Sequence, residues 1–262
     1  MPFEWKKLRK FTVKQNAAAI LESQLLRKRQ PCMIGTGAMC DPYIPLEEEL
    51  RLTRQCLELI ERHGFGLVIQ TKSARILRDL DLLKAINDRT KCVVQMTLTT
   101  YDETLCRIIE PNVSTTAERF AALEFFRNAG IPTVVWLSPI LPFINDTEEN
   151  LRGVLDYCVR GKVRGIICFG FGVTLREGNR EYFYSKLDEH FPGMKQRYIR
   201  TFGNNYECGS PNNARLYKIF KDECRNNNIL YMPDDVFTYL HRFEQKERQM
   251  TLFDVMGVNH AN

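Results

Sequence analysis

The stretch IGTGAMCDPYIPLE, Ile34 to Glu47, carries the end of an apolar run into a glycine turn, then into an aspartate and two prolines. CMIGTG (32–37) reads as a strand, and Asp41-Pro42 breaks the chain before a helix can start. For the pair Gly35 and Gly37 two readings stand side by side: a tight turn needing positive φ, or backbone approaching a ligand closely. A dinucleotide fingerprint would need a third glycine at position 40, where Cys40 stands.

Outward from this turn, short apolar runs alternate with amphipathic stretches. A helix is expected over 46–64, with Leu46, Leu50, Leu57 and Ile60 on one face and Gly64 ending it. Strands follow at 66–72, 91–100, 131–140 and 163–171, with helices at 76–88, 115–128 and 146–161 between them. Upstream, FTVKQN (11–16) reads as a short strand leading into a helix over 17–29. The strands are rich in Val and Ile without polar alternation, which suits a parallel sheet covered on both faces. Alternating strand and helix gives an α/β fold. Five such units suggest a partial β/α barrel rather than a closed eightfold one, with a doubly wound open sheet as the competing topology. Residues 1–172 are expected to form this barrel. Residues 173–262 then form a helical C-terminal extension, with helices near 179–191, 211–227 and 234–248 and an Asn/Gly-rich loop at 203–213.

Hydrophobic residues make up 44% of the 262, enough to bury a full core. No stretch reaches the ~18 apolar residues that cross a membrane, and MPFEWKKLRK lacks the apolar core of a signal peptide. Nine cysteines at irregular spacing fit reduced thiols in a cytoplasmic protein. Of the net charge of +5, residues 1–29 hold +6, from eight Lys/Arg against two Glu. Such an end suits nucleic-acid contact or simply a solvated helix face.

In either topology ligands sit beyond the carboxyl ends of the strands. Those ends read Gly35-Thr36-Gly37 through Cys40-Asp41, then Thr71-Lys72-Ser73, Thr97-Leu98-Thr99-Thr100, Ser138-Pro139 and Gly170-Phe171-Gly172. Hydroxyls, glycines and one lysine recur, with no histidine and one carboxylate. This inventory suits a polar, charged small molecule. It excludes paired-carboxylate hydrolysis and a Ser-His-Asp set.

The order GTG-x3-DPYIPLE (35–47), TKS (71–73), TLTT-x-D-E-x-L-x-R-x2-EP (97–111), AGIPT (129–133) and PILPFIND (139–146) resembles the radical S-adenosylmethionine (SAM) proteins related to spore photoproduct lyase. The likeness runs from Val13 to about Phe171, and more loosely through NNYECGSPNN (204–213). It implies a partial barrel in which a [4Fe–4S] cluster cleaves SAM to a radical, leaving positioning and shielding to the protein. It implies that Gly35, Thr36, Gly37, Cys40 and Asp41 border the methionyl part of SAM. Lys72, beside Ser73, would pair with the methionyl carboxylate, with Thr97 and Thr99 nearby. Position 40 is usually a hydroxyl residue in that family, and the place of a hydrogen-donating cysteine is Ala38 here.

The family holds its cluster by C-x3-C-x2-C. Here the cysteines stand at 32, 40, 56, 92, 106, 158, 168, 208 and 224, and the shortest gap is eight. Cluster cysteines must lie close, because several grip one iron–sulfur cube. The expectation is therefore a chain lacking its N-terminal cluster segment and inactive alone in SAM cleavage. The alternative is a cluster-free binding or scaffold protein on the same barrel. A further alternative is a phosphate ligand at Gly35–Gly37. Near the C-terminus, Gln249-Met250-Thr251-Leu252-Phe253 resembles the peptide by which bacterial DNA polymerase and repair proteins dock on the sliding clamp. It implies a partner near DNA. The other reading is that Leu252 and Phe253 simply pack on the body.

Overall fold

The computed structural model describes residues 13–246. The QMTLF segment and the first basic residues lie outside that range. Five strands form one parallel sheet: β1 (Met33–Thr36), β2 (Gly66–Thr71), β3 (Cys92–Thr97), β4 (Thr133–Trp136) and β5 (Gly165–Ile167). Their spatial order is their chain order. Right-handed crossovers between strands taken in sequence place every connecting helix on the same face. That is barrel winding, and it decides against the doubly wound alternative. Leu230 adds a single parallel bridge beside β5, and the sheet does not close into a full ring.

The pleat sends alternate side chains to opposite faces. Leu67, Ile69, Val94, Met96, Val135 and Ile166 face outward into the main core. There they meet α1 (Ala17–Leu26), α3 (Leu52–Arg62), α4 (Leu80–Arg89), α6 (Thr116–Asn128), α7 (Glu148–Arg160) and α10 (Asn213–Asn226), after the four-residue α2 (Glu47–Leu50). Inward-facing Val68, Val93, Val134 and Ile167 pack against Val236 and Leu240 of α11 (Pro233–His241). This helix, the last among the described residues, fills the concave side. Lys91, its side chain 3% exposed, holds it there. The Lys91 ammonium donates to the carbonyls of Tyr239 (2.7 Å) and Arg242 (3.1 Å) and pairs with Glu244 (3.0 Å). These are carbonyls that a helix end leaves without partners.

Several expectations are corrected. Residues 13–16 are irregular rather than a strand. The helix expected over 46–64 breaks at Arg51, which adopts φ 51°. The buried Glu47 carboxylate accepts a hydrogen bond from the Thr53 amide at 2.9 Å and so starts α3 afresh. The helix expected over 76–88 opens as a 3-10 turn, Ala74–Asp79, capped by Ser73. The sequence pattern missed α5 (Glu103–Ile109) and α9 (Met194–Phe202). It also missed an antiparallel pair, β6 (Gly172–Thr174) with β7 (Glu207–Gly209), the latter within the segment read as loop. With α8 (Asn179–His190) these form a small lobe over the strand ends. The closing helix stops at His241 instead of 248.

Candidate functional site

The glycine turn is shaped from two directions. Gly37 has φ 95°, and a Cβ there would stand 2.0 Å from the Gln70 carbonyl oxygen. The turn thus lies directly on the end of β2. Asp41 fastens it. One carboxylate oxygen accepts from the Tyr43 amide (2.9 Å) and the Thr71 hydroxyl (2.7 Å), and the other from the Lys72 amide (2.7 Å). The Thr71 hydroxyl in turn accepts from the Ser73 amide (3.0 Å), and the Ser73 hydroxyl from the Arg75 amide (3.3 Å). Asp41 and Ser73 therefore shape backbone. Gly35 differs from Gly37: nothing lies within 4 Å of where its Cβ would be, so its face is open.

The register sets Thr71 opposite Met96 and so brings Lys72 beside Thr97. Gly37, Cys40, Asp41, Lys72 and Thr97 border one cleft of about 200 Å³, with Gln70 and Thr71. Gly35 and the exposed Thr36 lead into it from β1. Ser73 and Thr99 do not border it: Ser73 is turned to its cap, and Thr99 lines the cavity next door.

Behind the cleft sits a cluster that the strand-end inventory passed over. The Lys72 ammonium stands 2.5 Å from Glu110 Oε1. Glu110 Oε2 accepts from Arg119 Nη1 (2.9 Å) and the Thr99 hydroxyl (3.3 Å). Arg119 is wholly buried, donates also to the Thr97 and Ser114 carbonyls, and leaves Nη2 without a partner. Its helix α6 is fixed by a capping box between Thr115 and Glu118. Glu110 closes α5, its amide bonded to the Cys106 carbonyl, and Pro111 prevents continuation. The only sequence sign of Glu110 was its place in the Glu-Pro pair of the 97–111 motif.

Two cations share one carboxylate, so the cluster carries one net positive charge toward the cleft. Burial alone would raise the Glu110 carboxyl, but Lys72 and then Arg119 outweigh it and hold the group below its ordinary value. A depressed carboxyl contributes stability that is complete above its unfolded pKa, about 4.3, and is lost as pH falls through the folded value. The stability gap between the wild-type chain and Glu110→Gln is therefore expected to narrow below about pH 4. Urea midpoints from pH 7 to pH 3 measure it, and a gap constant with pH would refute the assignment.

Next to the cleft, sharing Lys72 with it, lies a cavity of about 440 Å³. Its floor is Lys72, Thr99 and Glu110. Its walls are mostly apolar and come from the end of α5, the loop after β4, β6 and α8.

The residues do not fit an iron–sulfur cluster. Among the described residues no three His, Cys, Asp or Glu group to hold a metal ion. Six of the nine cysteines are buried. Burial pushes the Cys168 thiol up to about 11 and the Cys224 thiol up to about 12. Metal ligation uses the thiolate, which such surroundings oppose. The cleft does offer what a carboxylate would need: a lysine about a third exposed, with spare donors, and a net positive charge behind it.

A family model described as Radical SAM superfamily matches residues 4–158. An uncharacterized protein of Mycobacterium tuberculosis (strain ATCC 25618 / H37Rv) is 30% identical over 193 residues, 72% of this chain and 56% of that protein. An uncharacterized protein of Methanocaldococcus jannaschii is 30% identical over 136 residues, 52% of this chain and 49% of its own length. The match thus spans about half the length of these curated relatives. Spore photoproduct lyase complexed with dinucleoside spore photoproduct superposes with a TM-score of 0.57 at 13% identity, over 84% of this chain and 66% of that one. A variant of that lyase with bound SAM and dinucleoside spore photoproduct gives 0.52 at 14% identity, over 80% and 62%. At such identities the likeness speaks for the fold.

Proposed function

Because the chain belongs to the radical SAM superfamily, we propose that its strand-end cleft binds S-adenosylmethionine, with the methionyl carboxylate on Lys72. The net positive charge of the Lys72, Glu110 and Arg119 cluster carries this reading. An ammonium has three donors, and Glu110 takes one of them. Arg119 satisfies Glu110 from the other side, so Lys72 can turn toward a ligand without stranding a buried carboxylate. Thr97 flanks the same space, and the open face of Gly35 lies on the strand leading into it. Asp41 holds the turn and leaves recognition to its backbone.

The cluster that supplies reductive cleavage in this superfamily finds no donor set among the described residues. We assign these 262 residues SAM binding. The likeness to spore photoproduct lyase brings no DNA substrate with it, and a clamp-docking role for Gln249, Met250, Leu252 and Phe253 has no support from the described residues.

Lys72→Met is expected to weaken SAM binding by about ten- to a hundredfold, the worth of one charge-assisted hydrogen bond. Isothermal titration measures it. Unchanged affinity in the variant, or none in the wild type, would remove the reading. After incubation with iron, sulfide and a strong reductant, the chain alone is expected to form no 5′-deoxyadenosine.

A further inference from the structure

We propose that the small lobe is a hinged lid over the cavity that shares Lys72 with the cleft, and that Phe143 and Tyr198 form its latch. The hinge acts in the chain without any ligand, so it does not rest on the SAM reading.

The lobe packs as a unit of its own. Leu175, Leu187, Tyr198 and Cys208 form its buried cluster, apart from the main core. Polar groups close within it: Arg180 donates to the carbonyls of Leu175, Gly203, Asn204 and Asn205, and Lys195 pairs with Asp188 at 2.7 Å. The chain passes between barrel and lobe twice, and both crossings are glycine, with Gly172 paired to Gly209 at the foot of the β6–β7 ribbon. A Cβ at Gly172 would stand 2.6 Å from the Cys208 carbonyl oxygen, whereas nothing lies within 4 Å of where a Gly209 Cβ would be. Neither crossing residue has a side chain to stiffen the neck. Directly below, the chain is fixed. The Ser210 amide donates to the Phe171 carbonyl (2.8 Å), the Ser210 hydroxyl to Asp146 (2.5 Å) and the Phe171 amide to Asn213 Oδ1 (2.8 Å). A pliant neck on a fixed foot is a hinge.

The loop after β4 supplies the catch. Phe143 reaches into the lobe's cluster, its ring centroid 5.8 Å from those of Tyr198 and Phe202. The Arg197 guanidinium lies 3.8 Å over the Phe143 ring, and the Tyr198 hydroxyl donates to the Pro142 carbonyl at 2.8 Å. Phe143 holds φ 65°, a left-handed backbone that a bulky residue keeps only where its surroundings fix it. Withdrawing the ring lets that backbone relax, so the latch has two arrangements rather than a continuum. Between neck and latch lies the cavity. The barrel lends it Lys72, Thr99 and Ile109, and the lobe lends it Val173, Phe183 and Leu187. Its walls belong to two bodies, and a change in the angle between them opens or closes the space over Lys72.

The test uses the whole chain with no ligand added. Spin labels on noncanonical ketone side chains, placed at the exposed Arg107 of α5 and Arg200 of α9, spare the nine cysteines. Pulsed dipolar EPR then reads the distance from barrel to lobe. A major population at the latched distance is expected beside a minor, displaced one. Tyr198→Phe keeps the ring but loses the hydrogen bond, and should raise the ratio of displaced to latched lobe about fivefold, the worth of one hydrogen bond. Phe143→Ala should raise it further. Tyr206→Phe, which removes a bond from Arg176 inside the lobe, should leave the ratio unchanged. A second label pair within the lobe, at Ser185 and Arg200, should keep one distance in every variant. A barrel-to-lobe distance that neither latch variant shifts overturns the lid. Broadening of the within-lobe distance overturns it too, because the lobe would then be unfolding and not swinging. The SAM reading fails separately, by calorimetry showing no SAM binding.

Discussion

Glu110→Gln is expected to cost about 3–5 kcal/mol of stability, the usual cost of breaking a buried ion pair from one side. Glutamine keeps the shape but offers one acceptor oxygen where Glu110 uses two, so its NH2 must face one of the former donors. What it removes is the charge opposite Arg119, which is wholly buried and already has one nitrogen without a partner. Lys72, about a third exposed, can turn to water, whereas Arg119 cannot. The double variant Glu110→Gln with Arg119→Met is therefore expected to recover most of the loss. Glu48→Gln, which breaks an exposed pair with Arg75, serves as the control and should change stability by under about 1 kcal/mol. Urea denaturation of the four proteins measures all of this. A Glu110 cost no larger than the Glu48 cost would show that Arg119 does not depend on the carboxylate.

Gly37→Ala should be comparably damaging, and Gly35→Ala should not. At Gly37 the added methyl meets the Gln70 carbonyl at 2.0 Å with φ at 95°, so the turn must leave β2 and pull Asp41 from its three donors. Backbone strain of this kind alone costs about 1–3 kcal/mol, and the clash adds to it. At Gly35 the methyl meets nothing. Its stability cost should stay within about 1 kcal/mol, while SAM affinity falls because the methyl occupies the open face. Thermal melts and SAM titrations of the pair separate the structural glycine from the ligand-facing one. Equal stability losses would show that the two do the same work.

The same contrast shows how far the chain could be read by pattern. The strand runs Leu67–Ile69 and Val93–Val94 announced themselves, because a sheet buried on both faces needs continuous apolar residues. Helix α6 was legible at about 115–128, and the structure shows a capping box of Thr115 and Glu118 at its start. Lys72 was legible as a strand-end group because it stands three positions beyond the apolar run Leu67–Ile69. Its partner was not: Glu110 lies 38 residues on, and the bond between them depends on where α5 stops. The break at Arg51 escaped for a similar reason. Leucine spacing continues through it, and only the reach of Glu47 forward to the Thr53 amide ends the first turn. The β6 and β7 strands are three residues each and pair across α8 and α9, so neither carries a period of its own.

The placement of α11 has a consequence for synthesis on the ribosome. Val68, Val93, Val134 and Ile167 emerge early, yet the residues that shield them from water, Val236 and Leu240, are among the last described. Lys91 likewise waits for carbonyls that lie 148 and 151 residues downstream. A nascent chain can wrap helices around the outside of its sheet while the inner lining is still wet. Until α11 has been made, the concave face is a sticky, half-finished surface that a chaperone can grip, and α11 releases it.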